Sequence, residues 1–138
     1  MMTHAQRQIG EEFIASRLDT PFEWGVYDCG LFVADFLLAI TGVDYAADLR
    51  DKYSDAAGAI KAFNSIPVSG IVGFMEWTAA RYHWEPVTMM DAQWGDVGIL
   101  RNARDSACIV IGADVISTGH DRLITKPRSM ASQLWRVV

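Results

Sequence analysis

Residues Phe22–Gly42 read FEWGVYDCGLFVADFLLAITG, and from Cys29 to Ile40 nearly every residue is apolar, with Asp35 the only charge. A helix that is apolar all round is a buried helix. Asp28 supplies an N-cap and Gly42 a C-terminal stop. A central buried helix over roughly residues 29–41 is therefore expected, and the rest of the chain is read as what must cover it.

Upstream, Ala5, Ile9, Phe13, Ile14 and Leu18 recur at helical spacing, with Gln6, Arg7, Glu11 and Glu12 opposite. Thr20-Pro21 ends that helix, because the residue before a proline is pushed out of helical geometry. Downstream, Ser54 is the expected cap of a short helix in DAAGAIKAF, and another helix is expected from Val72 to Arg81. The last third changes character. VGIL, ACIVIG, DVIST, LIT and LWRVV are short β-rich runs punctuated by Gly, Asn, Asp and Pro. Helices first and strands later is an α+β pattern. The expectation is one domain over residues 1–138, helical to about residue 83 and β-rich from about residue 84, with the buried helix packed on a small antiparallel, barrel-like sheet.

Composition narrows the function classes. The chain has 138 residues, 51% hydrophobic and 21% charged, which suits a single packed core. Twelve Lys+Arg against 17 Asp+Glu leave a net charge of -5, which argues against a general nucleic-acid binder. No apolar run reaches the roughly 18 residues of a membrane span, so no membrane insertion is expected. The opening MMTHAQRQIGEEF has no apolar core of a signal peptide, which points to synthesis in a reducing cytoplasm. Two cysteines, Cys29 and Cys108, build neither a disulfide framework nor a four-cysteine zinc site. No His pair has zinc-ligand spacing, so neither metal nor cofactor is expected.

Cys29 is the sharpest chemical feature. At the start of a helix a thiol meets free backbone N–H groups and the positive end of the dipole, both of which favour the nucleophilic thiolate. Those N–H groups also suit an oxyanion, and Phe22, Trp24 and Tyr27 are placed to wall a cleft. A free cysteine is also commonly just a small buried hydrophobe.

WGVYDCGLFVADF, followed by GDVGIL and SACIVIG, resembles the NlpC-type cysteine peptidases, small papain-like domains that cut peptidoglycan stem peptides. Asp28, Cys29, Gly95 and Asp96 match that pattern, and the likeness runs from about Phe22 to Trp135-Arg136-Val137. The chain is still more similar to a bacteriophage branch of the superfamily, through Trp24-Gly25 before Asp28-Cys29, Thr41 to Asp44, Tyr53 to Asp55, and the terminal Trp-Arg-Val. That resemblance implies a tail-tip protein of the virion, partnered by hub or distal tail proteins.

The departures are as informative. The resemblance places Ser106 at the catalytic His position, Ser117 or Thr118 at that of the third polar residue, and Gly30 at that of the serine after the cysteine. No histidine lies between Trp84 and Gly119. His4, His83 and His120 remain, with His120 the leading alternative base. A cysteine nucleophile needs an imidazole within reach. The expectation is a degenerate, non-hydrolytic domain; the alternative is an active peptidase or amidase on peptidoglycan with Cys29 as nucleophile. Trp77, Tyr82 and Trp84 are read as core or, alternatively, as a contact surface. Strand alternation puts Ser106, Cys108 and Val110 on one face, expected to look at Cys29, so the two cysteines should be close.

Overall fold

The computed structural model describes residues 2–24, 28–64 and 70–138. Four helices precede six strands: α1 (His4–Arg17), α2 (Cys29–Thr41), α3 (Ala56–Asn64), α4 (Gly70–Arg81), then β1 (Glu85–Val87), β2 (Val97–Leu100), β3 (Ser106–Val110), β4 (Asp114–Thr118), β5 (Leu123–Pro127) and β6 (Ala131–Arg136). The class is α+β, as the order of periodicities implied.

Local chemistry sets the helix ends. Thr3 and Gln6 form a reciprocal capping box on α1. Asp28 caps α2, its Oδ1 accepting from the Leu31 N–H at 3.0 Å. Gly42 closes α2 at φ 78°, a left-handed conformation that a side chain disfavours, and its N–H donates to the Leu38 carbonyl. Asp55 rather than Ser54 holds the first turn of α3, accepting from the Gly58 N–H at 2.6 Å. Helix α4 starts at Gly70, two residues before the expected Val72.

The sheet order is β1-β6-β2-β3-β4-β5, with every pair antiparallel. It does not close: β1 and β5 are its two edges, so the barrel-like expectation gives way to an open sheet. Gly98 belongs at the centre, where a Cβ would stand 2.2 Å from the Gln133 carbonyl oxygen of the neighbouring strand. Asp96, just before β2, ties the strand ends together through Arg136, at 3.2 and 3.0 Å.

One face of the sheet carries the helices. Val97, Ile99, Ala107, Ile109 and Ile116 pack with Phe32, Phe36 and Leu37 of α2 in the main core. The other face forms a second cluster from Leu100, Cys108, Val110, Val115 and Leu134, covered by Met89, Met130 and Ala131. Helix α2 is less completely buried than an all-apolar sequence implies. Leu37 is 1% exposed but Leu38 is 38% exposed, because its side of the helix faces outward.

Candidate functional site

Cys29 opens α2 and sits against β3. The N–H groups of Ala107, Gly30 and Cys29 itself approach its sulfur and favour the thiolate, yet burial outweighs them and, with the Asp28 charge adding, pushes the thiol up to about 11. This reverses the direction expected from the helix end alone. The dipole term is worth about 1 kcal/mol, whereas removing an anion from water costs several.

Asp28 is bound on both oxygens. Besides capping α2, it accepts a short hydrogen bond from the Tyr53 hydroxyl through Oδ2. Tyr53 is itself buried, and desolvation together with the Asp28 charge holds its hydroxyl protonated. Trp24 meets Tyr53 edge-on at 6.3 Å, and the Arg104 guanidinium lies 5.7 Å from the Trp24 ring centre.

These groups line two chambers on either side of Cys29. One, of about 300 Å³, is lined by Trp24, Tyr53, Ala56, Ala59, Ile60 and Ile71 together with the charged Arg104 and Asp105. The other, of about 350 Å³, is lined by Phe22, Trp24, Cys29, Arg104, Ser106, Thr118, Gly119 and His120. The cleft expected from Phe22 and Trp24 is therefore present. Tyr27, expected beside them, lies outside the described residues.

The sequence-derived positions divide as follows. Ser106, Thr118 and His120 come to the same chamber as Cys29. The strand face is corrected by one residue. Ala107 and Ile109 point to the helix side, whereas Cys108 and Val110 join the opposite cluster. The residue of β3 that meets the thiol is thus Ala107, through its backbone N–H, and its side chain is a methyl. Ser106 spends its hydroxyl on the Arg104 carbonyl at 3.4 Å. Ser117 is fully buried and donates to the Ala107 carbonyl at 2.7 Å, so Thr118, not Ser117, faces the chamber.

Cys108 is pushed up to about 12, by burial first and by the charge of Cys29 second. The two cysteines are close enough to sense one another but lie on opposite sides of β3, and both are free. Cys108 and Val110 do share a face, as expected, but it is turned away from the helix that carries Cys29. Side chains alternate along a strand, and the helix-facing set begins at Ala107.

His120 is exposed in the turn between β4 and β5, with Asp121 3.7 Å from its Nε2. His83 follows α4, exposed, at φ 58°, and His4 is exposed at the start of α1. Among the described residues no three His, Cys, Asp or Glu side chains are grouped to hold a metal ion. No described helix is long and apolar enough to cross a membrane. Of the expected contact aromatics, Trp84 is core: 7% exposed, it packs on Tyr45 and Trp135. Tyr82 is exposed and Trp77 half-buried, with Arg81 over both rings.

Sequence reading missed Tyr53 as the partner of Asp28 and Ile60 and Ile71 as chamber walls. A tyrosine 25 residues from its carboxylate carries no local signal of that pairing.

A family model matches residues 2–137, and the chain belongs to that family, DUF6950, described as a domain of unknown function. No curated protein matches the chain.

Proposed function

We propose that this DUF6950 domain is a structural component of a bacteriophage tail tip, built on a degenerate NlpC-like, papain-related fold and without hydrolytic activity. The observation that supports the loss of activity is the place where Cys29 meets β3: the strand residue there is Ala107, which approaches the sulfur through its backbone N–H and carries no side chain able to act as a general base. The papain-related reading is supported by a buried helix opening on Asp28-Cys29 and packed against an antiparallel sheet. The tail-tip assignment rests on the resemblance of Trp24-Gly25, Asp28-Cys29 and the terminal Trp135-Arg136-Val137 to phage proteins. Its partners are then hub or distal tail proteins, and its location the virion.

One observation favours the alternative of an active cysteine peptidase or amidase on peptidoglycan peptides: His120 lines the chamber that holds Cys29. Two measurements decide between them. Mass spectrometry of purified particles is expected to find the chain at low copy number, and its consistent absence removes the tail-tip reading. Incubation with peptidoglycan stem peptides is expected to give no cleavage. Turnover abolished by both Cys29→Ala and His120→Ala would install the enzyme instead.

A further inference from the structure

We propose that residues 44–53 form a strap latched onto α2 by Arg50, and that this latch governs access to the Cys29 thiol by holding Tyr53 against Asp28. The inference goes beyond the function proposed above and stands on either account of Cys29.

The starting point is the partner of Asp35. This residue is the one charge in the apolar run of α2, where an unpaired carboxylate would be costly. Arg50 pairs it, with Nη1 2.7 Å from the Asp35 Oδ1. The same guanidinium donates through Nε and Nη2 to both oxygens of Asp44, at 2.8 and 2.9 Å. Such a bidentate pair is strong and fixed in direction. One planar cation therefore ties the segment that follows α2 back onto the middle of that helix.

A second tie lies on the same side of the helix. Asp28 and Asp35 are seven positions apart in sequence, close to two turns, so they stand in line about 10 Å apart along the axis. Arg50 takes the second carboxylate, and Tyr53, three residues further on, takes the first through its hydroxyl. The three groups of the Arg50 latch are partly exposed, whereas Asp28 and Tyr53 are buried. The outer tie is open to water, and the inner one is sheltered beside the thiol.

The strap divides at Arg50. Residues 42–55 carry neither helix nor strand, a long connection for a compact domain. Before Arg50 the chain is held by packing, since Ala46 and Leu49 are buried in the main core. After Arg50 it turns through Asp51, left-handed at φ 58°, a conformation most side chains disfavour. It then reaches Tyr53 and α3, whose Ala56, Ala59 and Ile60 line one chamber with Tyr53 and Cys29. Release of Arg50 leaves the turn at Asp51 without a fixed base. Tyr53 can then leave Asp28 while Ala46 and Leu49 stay packed, and the thiol loses its cover. Arg50 is thus a positioning residue, acting through Tyr53.

The test is the rate of iodoacetamide labelling of each cysteine in the 138-residue chain, read by mass spectrometry without denaturant. Cys108 is the internal control: fully buried on the far face of the sheet, it reacts only when the whole domain opens. Arg50→Ala is expected to speed labelling of Cys29 about tenfold and to leave Cys108 unchanged. Loss of a cation by itself would disfavour the thiolate and slow the reaction, so the sign separates release of the strap from a charge effect. Arg50→Lys, which keeps the charge without the bidentate fork, is expected to give a smaller rise. In a Tyr53→Phe background, Arg50→Ala is expected to add less than it does alone, because both act on one contact. If Arg50→Ala does not fold, Asp44→Asn carries the same test, with a selective rise at Cys29 expected. An unchanged or slower Cys29, a rise of both cysteines together, or full additivity with Tyr53→Phe would overturn the proposal. None of these results bears on whether the chain is found in particles, so the two readings fail separately.

Discussion

The body of α2 and its first turn are surrounded very differently. Along the body, Phe32 and Phe36 are 0% exposed, and Phe36 touches the rings of Phe13 and Trp94 at 6.2 and 5.9 Å. Around Cys29 the packing is looser, and two chambers of about 300 and 350 Å³ adjoin it. Packing is therefore uneven along one helix. The body holds the sheet, and the first turn sets the Cys29 thiol beside the chambers while the Asp28 carboxylate next to it is buried and bonded on both oxygens.

The sharpest way to break this contrast is to empty each side in turn. Phe36→Ala is expected to cost about 3–5 kcal/mol, a large part of the 5–15 kcal/mol typical of a domain. Ile60→Ala, on the open chamber, is expected to stay within about 0.5 kcal/mol. Chemical denaturation of both variants measures the difference, and equal costs would mean the chamber wall is as well packed as the core.

Asp28→Ala comes next. It removes the cap of α2 and the short hydrogen bond that Tyr53 donates to Asp28, an expected loss of about 2–3 kcal/mol. Asp28→Asn keeps a capping oxygen and should recover part of it. A loss under about 0.5 kcal/mol for Asp28→Ala would show that the first turn is held by something else.

Alkaline stability follows from the two thiols. The ordinary cysteine value is 9.0, and burial raises Cys29 to about 11 and Cys108 to about 12. An acid held neutral in the folded chain contributes stability that is intact below its unfolded pKa and is lost as pH rises toward the folded one. The folded state should therefore weaken from about pH 9 upward, and at pH 10 the Cys108 contribution is about 1 kcal/mol. Denaturation midpoints compared at pH 8 and pH 10 for the wild type and Cys108→Ala check the sign. A variant whose midpoint falls as steeply as the wild type's would remove Cys108 from the alkaline loss.

What the sequence made legible was local and periodic. Asp28, the apolar run and Gly42 place α2 to within a residue, since caps and periodicity act over a few positions. The short β-rich runs gave most of the strands. Sheet order, its failure to close, and the phase of β3 were less readable. One residue of phase exchanges Ala107 for Ser106 at the thiol, and nothing in SACIVIG marks which set faces the helix. Phe22 and Trp24 signalled a cleft, but its other walls come from distant segments, around Tyr53–Ile60, Gly70–Ile71, Arg104–Ser106 and Thr118–His120, and carry no local signal; the upward shift of the thiol was unreadable because burial is a tertiary quantity.

The smallest expected effect concerns two neighbours on α2. Leu37 and Leu38 are identical in type and adjacent in sequence, and a uniformly apolar helix gives no reason to separate them. They differ by one helical step of about 100°, which turns Leu37 into the core and Leu38 outward. Leu37→Ala is expected to cost about 2–5 kcal/mol, through lost transfer energy and the cavity left behind. Leu38→Ala removes atoms already partly in water and opens no sealed cavity, so a cost of no more than about 1 kcal/mol is expected. Leu38→Lys should be tolerated as well, since a long side chain can lay its stem along the helix and keep its charge in water. Thermal midpoints of the three variants at one protein concentration decide the matter. If Leu38→Ala falls as far as Leu37→Ala, the outward side of α2 is covered in solution, and the helix has no wetted face at all.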